Sequence, residues 1–182
     1  MNDAVWGYKV MRTAGFSFNS NPVKPTYLSQ TNAGPCFFCS KLAFLRTRFE
    51  EELWLDDCQY PLGEDQVMFY KMFLSGLEVL IADSSGIKHL DAGGNMTKEK
   101  EKMLIYSDFR FKTIFWHRFI FRPEKNALLK VWDCMCIGYA FTFAFIVSLL
   151  KLKFDILAIK LNSIKDAVCF LRSTGYKRLP VL

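Results

Sequence analysis

Glu64 and Asp65 stand side by side in the stretch "YPLGEDQVMFYKM", after a Pro-Leu-Gly turn and before an almost uninterrupted apolar run. Adjacent carboxylates there have two uses. In the first turn of a helix they meet the positive end of its dipole, a contribution of about 0.3–1 kcal/mol each. Alternatively, one of them takes a proton from a bound hydroxyl, which needs a carboxylate fixed beside the reacting oxygen. Cys36-Phe-Phe-Cys39 is a second chemical spacing, since C-x-x-C serves as a redox pair or as half a zinc site. No second C-x-x-C and no His pair at metal-ligand spacing completes such a site. On a strand, positions i and i+3 point to opposite faces, so buried structural cysteines are expected. His89 stands near the end of a short strand-like stretch, where an imidazole commonly bonds a nearby backbone carbonyl. Gly34 precedes another apolar run, as a turn before a strand would.

These residues need elements to hold them. A short strand is expected in "AVWGYKVMR", followed by an extended loop through the Asn/Ser/Pro/Gly-rich "TAGFSFNSNPVKPTYLSQTNAGP". "CFFCSKLAFLRTR" reads as a buried strand running into a short helix, entered at Gly34-Pro35, and "FEEELWLDDCQYPLG" as an acidic, aromatic loop. A helix is expected from about Glu64 to Ser75, with Gly63 at its start and Gly76 at its C-terminal cap. Its interior is apolar nearly all round, so it should be packed on several sides. "LEVLIA" then reads as a buried strand, "DSSG" as a turn and "IKHL" as a second strand ending at His89.

From residue 96 the character changes. "TKEKEK" is a solvated helix start, and residues 103–122 hold seven aromatics and four Lys/Arg in twenty positions. Such interleaving can stack nucleobases, but a helix at a lipid headgroup layer is the expectation here. The reason is "CMCIGYAFTFAFIVSLL", residues 134–150, seventeen residues without a charge, the short limit for crossing a bilayer. Leu157, Leu161, Ile164, Val168 and Leu171 then recur at helical spacing, with Lys160, Lys165 and Arg172 off the stripe, an amphipathic basic helix. Lys/Arg flank the apolar run on both sides, so charge sets no orientation, and in-plane or re-entrant association is favoured over a single crossing.

Composition agrees with a membrane contact. Of 182 residues, 51% are hydrophobic and 16% aromatic, richer than a typical soluble domain. Residues 1–150 carry 17 basic and 16 acidic side chains, whereas 151–182 carry 7 and 2. The basicity belongs to the tail, which suits an anionic membrane surface and argues against nucleic acid as a partner. The N-terminal "MNDAVWGYKV" has no pattern of a signal peptide. The six cysteines lack disulfide-framework spacing, as reduced cytoplasmic thiols do.

One ordered series ties the chemical residues together: a Gly (Gly34) before an apolar run, Phe49-Glu50-Glu51, Gly63-Glu64-Asp65 leading a helix that ends in Gly76, and a strand pair ending in His89. Over roughly residues 1–95 this resembles the acceptor-side half of family-2 inverting glycosyltransferases of the GT-A fold. The resemblance implies an α/β fold, a partial GT-A-type domain, followed by membrane-associating helices. It implies Asp65 as the general base that deprotonates the acceptor hydroxyl, with Glu64 orienting the acceptor or a loop. Gly34 and Gly63 would lie at the substrate, and His89 would join a divalent metal, Mn or Mg, on the diphosphate of the nucleotide-sugar donor. The acceptor would be a saccharide or lipid-linked saccharide of surface polysaccharide synthesis, reached at the cytoplasmic face of a membrane.

The series departs from the family at its start. The nucleotide-binding half with its Asp-x-Asp metal site has no counterpart before "MNDAVWGYKV", and Asn2-Asp3 is too slight to serve. Residues 1–182 are therefore expected to need a separate donor-binding half and to be inactive alone. The organisation expected is 1–95 as the acceptor-side half, 96–132 as an aromatic-basic interfacial segment, and 133–182 as an apolar helix plus a basic amphipathic one. The alternative is a non-enzymatic membrane-peripheral module that keeps the scaffold.

Overall fold

The computed structural model describes residues 6–32, 36–58, 60–82 and 96–181. They form a mixed α/β chain with short strands, divided into two compact units. The first unit takes in residues 1–11, 16–54 and 63–95, and the second residues 12–15, 55–62 and 96–182.

In the first unit β1 (Tyr8–Val10) pairs antiparallel with β2 (Phe16–Phe18), and β3 (Thr26–Ser29) pairs antiparallel with β4 (Val79–Ala82). Thus β2 and β3 occupy part of the stretch expected to be loop. Asn, Ser and Pro mark its turns correctly, but three- and four-residue strands between them are stabilised by partners, Val79–Ala82 among them, that local composition does not reveal. The first unit also holds α1 (Lys41–Arg46), a 3₁₀ turn (Phe49–Glu51) and α2 (Glu64–Leu74). A core of Met68, Phe69, Met72 and Val79 packs against Phe49, Phe73 and Leu77, so α2 is its main contributor. The strand β4 is less buried than expected: Val79 is inside, while Leu80 is 56% exposed.

The run from Cys36 is not a buried strand. Ser40 caps α1, its hydroxyl accepting from the Ala43 N–H. That cap starts the helix early and leaves residues 36–40 extended without a ladder. Cys36 and Cys39 are exposed free thiols, and Phe38 is almost fully exposed, so the expectation of buried structural cysteines is corrected.

The second unit is helical: α3 (Lys98–Phe115) continuing into a π-helical segment (Trp116–Phe121), α4 (Ala127–Leu150), α5 (Phe154–Arg172) and the short α6 (Thr174–Arg178). Thr97 caps α3, its hydroxyl accepting from Lys100 N–H, and the Asn126 amide oxygen caps α4 by accepting from Leu128 and Leu129. Contacts advance together along α3 and α5, from Lys102–Asp155 through Tyr106–Asp166 to Arg110–Phe170, so these two helices run parallel. Helix α4 lies antiparallel beside them, with Phe109 against Phe141 and Phe145.

The α3 face differs from the sequence reading, and on α5 the packing face lies beside the apolar stripe. The aromatics expected at a headgroup layer are turned inward: Phe109, Phe111, Phe115 and Phe119 are core residues, with Arg110 and Arg118 buried among them. On α5 the inward face is Ile156, Lys160, Ser163 and Ala167, whereas Leu161 of the expected stripe is 51% exposed. Small residues win the interface because α3 and α5 approach closely, the Ser163 hydroxyl donating to the Tyr106 carbonyl.

Candidate functional site

Gly63 adopts φ 87° immediately before α2, a left-handed conformation that a side chain disfavours. That turn delivers Glu64 and Asp65 as the first two helical residues; Gly63 itself contributes no side-chain cap. Gly76 (φ 77°) closes the other end, as the sequence predicts. Glu64 is exposed and Asp65 half-buried. Neither carboxylate has a hydrogen-bond or ion-pair partner among the described residues. Burial pushes the Asp65 carboxyl up, and the Glu64 charge beside it pushes the same way. The helix dipole, expected to hold Asp65 ionised, is thus opposed by burial and by its neighbour. A carboxylate of this kind is a stronger proton acceptor than an ordinary one.

Thr31, fully buried, donates its hydroxyl to the Gln66 carbonyl at 2.9 Å. It thereby anchors the segment leading towards Gly34 on the first turn of α2, one residue beyond Asp65. Gly34 and His89 themselves lie outside the described residues, so their assigned places are neither joined to Asp65 nor separated from it here.

The first unit has a cleft of about 600 Å³ between α2 and β4, where Phe37, Phe69 and Met72 supply apolar surface and Tyr8, Asn32 and Ser40 polar groups. Asp65 does not line it. It sits one helical turn before Phe69, on the same side of α2. Among the described residues no three His, Cys, Asp or Glu side chains converge on one point, so no metal ion is placed.

Sequence reasoning missed what holds the C-terminal half of α2 in place. Lys71, only 1% exposed, donates to Glu52 Oε1 at 2.7 Å and to the Arg48 carbonyl at 2.9 Å, while the Trp54 indole donates to Glu52 Oε2 at 2.7 Å. Both carboxylate oxygens are used, as a buried charge requires. The available signal was a single lysine in the apolar run that follows Gln66.

Comparison with protein families, with curated proteins and with solved structures finds no match to this chain. Fold and site therefore stand on their own geometry. In the second unit that geometry includes one helix, α4, long and apolar enough to cross a membrane, with 17% of its most apolar window buried.

Proposed function

We propose that residues 1–182 form the acceptor-binding and membrane-associating part of an inverting glycosyltransferase of GT-A type. A nucleotide-sugar would be held by residues outside this range. The observation that carries the reading is Asp65: a half-buried, unpartnered carboxylate, shifted towards proton uptake, fixed in the first turn of a helix. Inverting transfer needs such a group to take the acceptor hydroxyl's proton while that oxygen attacks the anomeric carbon and the nucleotide diphosphate leaves. Further support comes from the cleft beside α2, whose aromatic and polar lining suits a saccharide ring. His89, which would meet a divalent metal on the donor diphosphate, lies outside the described residues.

The test has two parts. Calorimetric titration of the chain with a saccharide or lipid-linked saccharide should show binding, and titration with nucleotide-sugar should show none. Tighter binding of the nucleotide-sugar reverses the assignment of halves. With a donor-binding half supplied, Asp65→Asn should lower transfer by about 10²–10⁴-fold at unchanged acceptor affinity.

The exposed apolar surface of α4 favours a second reading, a non-enzymatic module that anchors a partner at a membrane. Unchanged transfer by Asp65→Asn would select it.

A further inference from the structure

The turn between α4 and α5 borders an open groove of about 420 Å³ within the helical unit. Leu104 and Phe109 of α3, Val147 of α4 and Ile156 of α5 give it apolar walls. Lys151, Lys153 and Lys160 line the same groove against one carboxylate, Asp108. That carboxylate is already engaged, accepting from Lys112 Nζ at 2.7 Å. The other nearby acid, Asp155, pairs with Lys102 at 3.0 Å.

Lys160 is the unusual member. It is 9% exposed, and its ammonium donates to the Ala144 carbonyl and the Ser148 hydroxyl, each at 2.9 Å. Phe109 lies on another side, its ring centroid 5.1 Å from Nζ. An ammonium has three donors, and among the described residues Lys160 has neither a third acceptor nor an ion-pair partner. Burial lowers its pKa and Lys112 adds to that, with Asp108 opposing. A cation so placed is costly unless an anion meets it.

We propose that this groove holds the phosphate of a lipid headgroup, Lys160 giving the buried hydrogen bond and Lys151 and Lys153 the rim charge. The apolar walls and the adjoining exposed surface of α4, Ile146 and Leu150, take the lipid's chain. Free phosphate would leave those walls unused, so the ligand is amphiphilic. Lysines bind phosphate as point charges, and basic pockets beside an apolar helix suit anionic headgroups. The inference rests on the membrane association proposed above, but it requires nothing of Asp65.

The experiment measures co-flotation of the full chain with vesicles of phosphatidylcholine, alone or doped to equal surface charge with phosphatidic acid or phosphatidylserine. The chain should prefer phosphatidic acid. Lys151→Gln/Lys153→Gln, on an exposed turn, should remove that preference. Lys165→Gln/Lys177→Gln, equal in charge and away from the groove, should weaken both anionic surfaces alike. A single exposed lysine contributes on the order of 1 kcal/mol at such a surface, about fivefold in binding. The groove pair should therefore exceed the control pair by at least that factor on phosphatidic acid. Lys160→Met should act like the groove pair at unchanged helicity; should it fail to fold, the exposed pair decides alone. Equal losses in the two double variants overturn the groove, and so does glycerol 3-phosphate displacing the chain as well as short-chain phosphatidic acid does. Binding to no vesicle overturns groove and membrane association together, whereas binding without headgroup preference overturns only the groove.

Discussion

Asp65 distinguishes a cap from a base because the two roles predict opposite stability effects. A dipole cap would make Asp65→Asn destabilising by about 0.3–1 kcal/mol. Here the folded-state pKa is raised, by burial first and by Glu64 second. The folded state then binds more protons than the unfolded one between the ordinary carboxylate pKa of 3.8 and the raised value. Stability from this group is greatest in acid and falls as pH rises through that window. Asp65→Asn should therefore leave the thermal midpoint unchanged or raised at pH 7 and lose that advantage near pH 3, as scanning calorimetry at both pH values will show. A clear loss at pH 7 would return Asp65 to the role of cap. Lys71 carries the opposite expectation. Lys71→Met takes away the ion-pair partner of a buried carboxylate, Glu52, at a cost of about 3–5 kcal/mol. Replacing both charges, Glu52→Gln with Lys71→Met, should recover most of it, measured by urea unfolding.

At the scale of elements, α5 shows how a face is chosen. Its hydrophobic spacing draws an apolar stripe through Leu157, Leu161, Ile164, Val168 and Leu171, and the buried row lies beside that stripe, at Ile156, Lys160, Ser163 and Ala167. The parallel neighbour α3 decides this: Tyr106 lends its carbonyl to Ser163 and its hydroxyl to Asp166 at 2.7 Å. Burial and that carboxylate together push the Tyr106 phenol up to about 12. Ala167→Leu should overpack the α3–α5 contact and cost about 1–3 kcal/mol, while Leu161→Ala, at a half-exposed position, should stay within about 0.5 kcal/mol. A reversed order of thermal midpoints would make the Leu161 stripe, not the Ala167 row, the packing face. The starts of α2 and α3 were legible because Gly63 and Thr97 act within three residues of themselves, whereas α4 begins at Ala127, behind the Asn126 cap and ahead of the uncharged run from 134 that marks it in the sequence. The strands β2 and β3 were not legible, because β3 meets β4 across some fifty residues of chain. The acidic pair was legible by type and spacing, whereas Thr31 and the Glu52–Lys71 pair depend on contacts that spacing does not encode.

At the scale of the whole molecule, the proposed membrane association turns on α4, the helix long and apolar enough to cross a membrane. The helix has 24 residues, about 36 Å, against a hydrocarbon core of about 30 Å. Its uncharged part, residues 134–150, reaches only about 26 Å. Crossing would thus place Asp133 at the hydrocarbon boundary. Asp133 is fully buried and paired with Arg12, and its second oxygen has no partner among the described residues. That ion pair is what lets a charged position approach lipid at all. Arg12→Gln should therefore both destabilise the helical unit and weaken vesicle binding. The exposed side of α4 is separable from folding, since Phe143 and Leu150 are 60% and 79% exposed. Phe143→Gln with Leu150→Gln should keep the helical circular-dichroism signal and thermal midpoint. The same change should lower partition into phosphatidylcholine vesicles by about 100-fold, since each buried side chain contributes about 1.5 kcal/mol or more. Unchanged partition would mean that α4 presents these residues to something other than lipid. Protease protection of the tail in sealed vesicles then separates a crossing from an in-plane helix, because only a crossing moves Lys151 and all that follows it behind the bilayer.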